Sequence, residues 1–285
     1  MHTLLSIAID GIAYGMILFM ISVGLTVTMG LMRVINLAHG GFAMLGGAFT
    51  HYLMKSGMEF FSAAILGVII VALIALPLER GLYRHIYKFS ELQQVLATIG
   101  ITFLMIASVN LWLGSSLLVI TLPESMTGTV DLGFRSLPMH RLIVIGAGVI
   151  TVLGLYLLIE KSRFGIYLRS AVDNRETAAA LGIDTSKIYM LTFALGAALA
   201  AIGGILGAEL LPIEAYYPLR HMVLFMIVVA VGGMGSITGS LLAAVGLGIV
   251  DTAARYLVPD FGTIVFYMVI MFILAIRPNG LLGKT

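Results

Sequence analysis

Runs of apolar residues, each near the length a helix needs to cross a bilayer, constrain this chain more than any other feature. They fall at about 9–31, 60–78, 94–114, 141–159, 188–208 and 263–276, with a shorter run at 40–54. A longer run, 222–250, is broken by Gly232-Gly233-Met234-Gly235-Ser236. None shows the alternating pattern of a barrel strand, so all eight segments read as helices. The rest of the chain has too little charge to cover such surfaces in water: 11% of residues are charged and 60% hydrophobic, with mean hydropathy +1.09. A soluble domain carries roughly a quarter charged residues, so the solvent here is lipid. The sequence therefore predicts an all-α, polytopic membrane protein, a single transmembrane domain over 1–285 with about eight spanning or half-spanning helices.

Several classes are excluded early. The absence of cysteine rules out disulfides and thiolate metal sites. A net charge of +2 is too small to suggest nucleic acid as a partner. The first basic residue is Arg33, so the charged start of a cleavable signal peptide is missing.

Basic residues favour the cytoplasmic side of a membrane. Placing 79–93 and 160–187 inside, with the turn at 32–39 and the C-terminal tail, gathers eleven of the 16 Lys and Arg there: Arg33, Arg80, Arg84, Lys88, Lys161, Arg163, Arg169, Arg175, Lys187, Arg277 and Lys284. Lys55, Arg135, Arg141, Arg220 and Arg255 stay outside. This predicts an external N-terminus and a cytoplasmic C-terminus. The segment 222–285 must then cross an odd number of times. With one crossing assigned to 263–276, the run 222–250 either enters and returns or makes two thin crossings. Its halves, about 222–231 and 237–250, predict a pair of half-helices turning at glycines. Such a turn is tolerable only inside protein or beside water.

A second glycine-rich interruption lies between Arg33 and Gly47, in the opposite half of the chain. Paired interruptions point to an inverted repeat with a solute path at its interface. The competing reading is close helix packing, as in Gly11-xxx-Gly15, Gly203-xxx-Gly207 and Gly235-xxx-Gly239.

Intramembrane acids, the usual mark of proton relays, are missing from the span centres. Asp10, Glu59, Glu124, Asp131, Glu209, Glu214, Asp251 and Asp260 all fall on or near the outer side. The six histidines, His2, His39, His51, His85, His140 and His221, have no ligand spacing on one helix, so no metal site is predicted. Gly235-Ser236 lacks the strand and base of a nucleophile turn. Gly283-Lys284-Thr285 resembles the end of a phosphate loop, but Pro278 stands where its leading glycine belongs. No catalytic residue and no cofactor is expected, and the energy for uphill transport must come from elsewhere.

One polar island stands out, Asp173-Asn174-Arg175-Glu176-Thr177-Ala178-Ala179-Ala180-Leu181-Gly182-Ile183-Asp184. It lies between two apolar runs and reads as a handle presented to the cytoplasm. Three further stretches complete a resemblance. Residues 23–49 (with Arg33-Val34-Ile35-Asn36-Leu37-Ala38-His39-Gly40-Gly41-Phe42-Ala43-Met44-Leu45-Gly46), the glycine turn at 230–242 and the tail Arg277-Pro278-Asn279-Gly280-Leu281-Leu282-Gly283 resemble the signature stretches of branched-chain amino-acid ABC importer permeases. Residues 173–207 resemble the cytoplasmic loop and following span of that family, and the matches occur in the right order. The resemblance is to the LivH-type transmembrane subunit, the shorter of two that pair.

The resemblance implies a type II importer. Its partners would be a second, LivM-like permease, two cytoplasmic ATPase subunits and an external substrate-binding protein, in a bacterial or archaeal plasma membrane. The general ABC importer loop begins Glu-Ala-Ala, whereas Glu176 is followed here by Thr177. Asp173, Arg175, Glu176, Ala178, Ala179 and Gly182 are the expected ATPase-coupling residues. Asp173 is expected to cap a short helix that Gly182 ends in the left-handed conformation, with Ala178 to Ala180 seated in an ATPase groove. Asn36, His39, Gly40, Gly232, Gly233, Gly235, Ser236 and Thr238 are the expected path residues, because half-helix starts favour a carboxylate. Glu209, Glu214 and Arg220 are the expected contacts of the binding protein, which would carry most of the selectivity. The same architecture importing urea, a short amide or another small polar solute is the first alternative. An ion-coupled carrier or channel is the second, and a membrane-embedded enzyme lacks the paired nucleophile and base it would need.

Overall fold

The computed structural model describes residues 2–31, 34–131, 133 and 136–283, without the side chains of His2 and Leu31. Arg33, Arg135, Lys284 and Thr285 of the sequence reading lie outside the described residues. Among those described, most residues are helical and the one sheet is a short hairpin, β1 (Thr129–Asp131) with β2 (Ser136–Pro138). The α-helices of six residues or more are α1 (His2–Leu31), α2 (His39–Lys55), α3 (Phe60–Leu78), α4 (Glu91–Leu113), α5 (Met139–Glu160), α6 (Arg163–Asp173), α7 (Arg175–Ala180), α8 (Thr185–Gly207), α9 (Tyr217–Gly232), α10 (Ile237–Leu257) and α11 (Gly262–Ile276). A π-helical turn, Glu79–Tyr83, extends α3 beyond Pro77.

Among the described residues seven helical spans are long and apolar enough to cross a membrane: α1, α3 with the turns that extend it to Ile86, α4, α5, α8, α10, and α11 with the 3-10 turn Pro259–Phe261 that precedes it, 18 residues together. α2 has 17 residues and α9 has 16, so each rises about 25 Å, short of a full crossing with headgroups.

α1 is the axis of the bundle. It is the most buried of the seven, and it packs antiparallel to both α8 and α10. The contact with α10 runs the length of the helix: Gly11 lies on Ile249, Gly15 on Ala244 and Val245, and Gly30 on Gly235. On the other side Gly24 meets Gly196 backbone to backbone, and Gly203 and Gly207 lie on Ile21 and Ile17. Lipid gives helices no hydrophobic reason to associate, so close van der Waals contact at small residues must supply the attraction. Thr26 and Ser240 add a hydroxyl–hydroxyl bond of 2.6 Å across the α1–α10 seam.

These contacts fix two ends of the bundle, named here for Asp10 and Gly30 of α1. They also correct the reading of 222–250. Its second half is a 21-residue helix, α10, that follows α1 from one end to the other. The glycine turn between α9 and α10 therefore reaches the Gly30 end instead of stopping at half depth. There the tail closes over it: Leu281 and Leu282 donate backbone N–H bonds to the carbonyls of Val231 (2.7 Å) and Gly232 (3.2 Å). Gly233, at φ +97°, leaves room only for the backbone of Gly283.

Candidate functional site

Two regions bear on function, a surface lever at the Gly30 end and a buried break in the interior. The lever is built from α6 and α7. Leu168 and Ala171 of α6 pack with Ile188 and Tyr189 of α8 in a small apolar cluster, and the Tyr189 hydroxyl donates to the Ala171 carbonyl at 3.0 Å. Arg169 donates to the Ile159 carbonyl near the end of α5, and Gly165 packs on the same backbone. α6 is thus fastened to both spans that flank the loop.

α7 follows after a single residue. The expected cap is corrected here: Asp173 is the exposed last residue of α6, and Asn174 is the cap, its Oδ1 accepting from Thr177 N–H at 2.9 Å. The stop is as expected, with Gly182 at φ +86°. Ala178 is the one anchored residue of the helix, 2% exposed, while Glu176, Ala179 and Ala180 face outward. Leu181, 77% exposed, is an apolar knob at its tip that the sequence reading passed over. Arg175 is exposed, with its guanidinium 5.0 Å over the Tyr189 ring. Asp184 caps α8 by accepting from Lys187, and the bonds from the Lys187 backbone and then its side chain hold the Asp184 carboxyl below the usual aspartate range.

The interior break is the segment 34–38, between the end of α1 and the start of α2. It turns back into the protein, so that α2 begins at the level of Ile21 and Gly24 of α1. Non-helical backbone at such depth needs partners, because lipid offers none. They come from α4 and the π-helical turn. Gln94 Oε1 accepts from Ile35 N–H at 3.1 Å, Thr98 Oγ1 accepts from Leu37 N–H at 3.2 Å, and Asn36 Oδ1 accepts from Ala38 N–H and the Tyr83 hydroxyl. The Asn36 amide nitrogen is buried with no hydrogen-bond partner among the described residues. His39 is buried with its Nε2 3.0 Å from the Ile21 carbonyl, and Gly40 lies against Phe225 and Pro218 at the start of α9. The first turns of the two short helices therefore meet inside the bundle.

The glycine-turn residues sit apart from this point. Gly232 packs on Gly239 and Ser240, Gly235 on Gly30, and Ser236 caps α10 by accepting from Gly239 N–H at 3.0 Å. Thr238 is exposed beside a shallow cavity of about 150 Å³ formed with α1 and α5.

At the Asp10 end, a cavity of about 490 Å³ opens between α1, α9, α10 and α11. Its floor holds two buried carboxylates, Asp10 and Asp251, each 6% exposed. Asp10 pairs with Arg141 of α5 and accepts from the Tyr256 hydroxyl at 3.0 Å, and Asp251 pairs with Arg255 at 2.8 Å. The sequence placed both acids near the outer side and missed their burial, although the i, i+4 pair Asp251–Arg255 was visible on one helix face. Of the three expected docking residues, Glu209 pairs with His140 at 2.9 Å, and Glu214 with Arg220 at 2.6 Å. Among the described residues no cluster of three or more His, Asp or Glu is placed to hold a metal ion.

Comparison with known proteins follows the same outline. Residues 7–274 match the family described as branched-chain amino acid transport system, permease component. The chain is 26% identical over 291 residues to the high-affinity branched-chain amino acid transport system permease protein LivH of Escherichia coli K12, covering 96% of this chain and 94% of that one. It is 25% identical to the corresponding permease BraD of Pseudomonas aeruginosa, over 97% of this chain and 94% of that one. It is 27% identical to the probable branched-chain amino acid transport permease LivH of Methanocaldococcus jannaschii, over 95% and 90%. No solved structure matches. With its multi-pass helical body and a match that runs almost end to end, the chain belongs to the family of permease components of branched-chain amino-acid transport systems.

Proposed function

We propose that this chain is the transmembrane subunit of an ATP-binding cassette importer that moves branched-chain amino acids inward, with its work supplied by separate ATPase subunits. The observation that carries the reading is α7: a six-residue helix fastened at Ala178, uncovered at Ala179, Ala180 and Leu181, and joined through α6 to the spans α5 and α8. An isolated helix this short is unstable in water, so its place on the body comes from its cap and its packing. Force applied to its outer face reaches two spans at once.

Among the described Lys and Arg, nine lie at the Gly30 end against four at the Asp10 end. That asymmetry supports a cytoplasmic Gly30 end, with the N-terminus outside and the C-terminus inside. An ATPase dimer closing beneath α7 would tilt α5 and α8 against α1, where Gly24 and Gly196 meet backbone to backbone while Ile17, Ile21 and Met16 sit over Gly207, Gly203 and Gly148. The external binding protein would approach the Asp10 end, where Glu209, Glu214 and Arg220 are candidate contacts alongside the charged cavity. A second permease subunit would complete the path. In this chain its wall would include Asn36, His39 and Gly40 at the meeting of α2 and α9, where helix N-termini favour a carboxylate. On this reading Gly232, Gly233, Gly235, Ser236 and Thr238 shape the turn that backs that wall.

Ala179→Glu tests the lever. It adds a charge to an exposed position of α7, so the subunit should insert in normal amount while ATP-dependent uptake of leucine, isoleucine or valine is lost. Uptake at the parental rate, with the variant present at parental level, would refute coupling through α7. Uptake of a short amide in place of these amino acids would favour the alternative solute on the same architecture.

A further inference from the structure

We propose that the pocket where α3, α7 and α8 meet binds a phosphate-bearing head group, supplied by an anionic phospholipid of the cytoplasmic leaflet. The cavity is about 160 Å³ and is lined by Arg80, Arg84, Arg175 and Lys187, with Glu79 and Asp184 as its carboxylates. Four cations against two anions leave a formal charge of +2. Little of the excess is held in ion pairs, although the Arg175 guanidinium lies over the Tyr189 ring. Lys187 is held by Asp184 at 3.2 Å, but Arg80, Arg84 and Arg175 form no ion pair among the described residues. Glu79 is buried at 3% exposure beneath them. Three guanidinium groups without an ion pair around one concavity match the chemistry of a phosphate, which accepts paired N–H bonds from a planar fork.

The surroundings favour a lipid over a soluble anion. Phe61, Ile65, Ile69 and Leu73 are exposed at four-residue intervals, forming an apolar stripe down one face of α3. The stripe leads to the π-helical turn, where Glu79 and Tyr83 turn inward while Arg80 and Arg84 are exposed. Leu82 and Phe89 are exposed close by. An acyl chain along Ile69 and Leu73 brings its phosphate to the two arginines, at the depth where basic pockets between spans hold acidic head groups. A free phosphate gains nothing from the stripe. The occupant also touches Arg175, the first residue of α7, and so ties the lever to the end of α3; the choice of leaflet and this link to coupling, unlike the pocket, rest on the proposed function.

The test reads lipid retention, which needs no transport. The full-length chain, purified with its associated subunits from mixed phosphatidylglycerol and phosphatidylcholine, is examined by native mass spectrometry. The parental protein should retain phosphatidylglycerol in preference to phosphatidylcholine. Arg80→Gln with Arg84→Gln should lower that retention about tenfold or more. Arg80→Lys with Arg84→Lys, which keeps the charge that sets topology, should lose less, and Arg163→Gln, outside the pocket, should lose none. Inorganic phosphate at millimolar concentration should not displace the lipid. Equal retention in the Gln pair and the parent overturns the proposal. So does displacement by inorganic phosphate, which would make the site one for a soluble anion. Loss of ATPase subunits from the Gln pair with lipid retention unchanged would assign the pocket to a protein contact and equally overturn it.

Discussion

Asn36 carries two buried hydrogen bonds on one oxygen, and both donors come from groups that water cannot reach. Asn36→Leu would leave the Ala38 N–H and the Tyr83 hydroxyl unpaired. Each such loss costs roughly 1–3 kcal/mol, so the variant should be destabilised by about 3 kcal/mol, read as a lower denaturation midpoint in detergent. Tyr83→Phe, which removes one donor with its bond, should cost about 1 kcal/mol in the same assay. Asp184 makes a prediction of another kind. Its folded carboxyl titrates below its unfolded value, so its contribution to the α8 start is full above the ordinary aspartate range and disappears as pH falls through the lower, folded value. Amide exchange at Lys187 should therefore stay protected on mild acidification and rise only below about pH 4. At this scale the sequence was partly legible. Asn36 stood out as a polar residue beside a break. What it bonds could not be read, because Tyr83, Gln94 and Thr98 lie 47 to 63 positions from the segment they satisfy.

At the scale of the element, α7 shows how two adjacent cap-forming residues divide their work. Asp173 and Asn174 are both good caps in isolation, and composition alone does not choose between them. The choice is made by α6, which continues through Asp173 because Leu168 and Ala171 hold it on α8. Asn174 is the first residue free of that helix and takes the cap. Asn174→Ala should cost about 1 kcal/mol and speed amide exchange in 175–181 about fivefold, whereas Asp173→Ala should leave it unchanged. Comparable acceleration in both variants would contradict this assignment. The stop at Gly182 was legible because a positive φ has a residue signature. The full length of α10 was not, since the glycines that interrupt the apolar run end one helix and let the next start at the membrane edge.

For the whole molecule, the composition already gave the class, and the glycine spacing gave the manner of packing. Gly11, Gly15, Gly203 and Gly207 all face a neighbouring backbone or side chain at the α1 seams. Which helices they join was not legible, because small-xxx-small patterns name a face and not its partner. A side chain at Gly15 would meet the backbone of Ala244 and Val245, which cannot yield as a side-chain tip would. Gly15→Leu should therefore part α1 from α10, at about 3 kcal/mol or more, seen as a lower thermal midpoint and a lower yield of monodisperse protein. Gly146→Leu, at a position with open space around it, should be neutral. The latch at the Gly30 end has a temporal meaning as well. Residues 280–283 follow every span in chain order, yet they close the turn between α9 and α10. During synthesis that hairpin must wait, inserted but unfastened, until α11 has threaded the bilayer and delivered its seal from the far side.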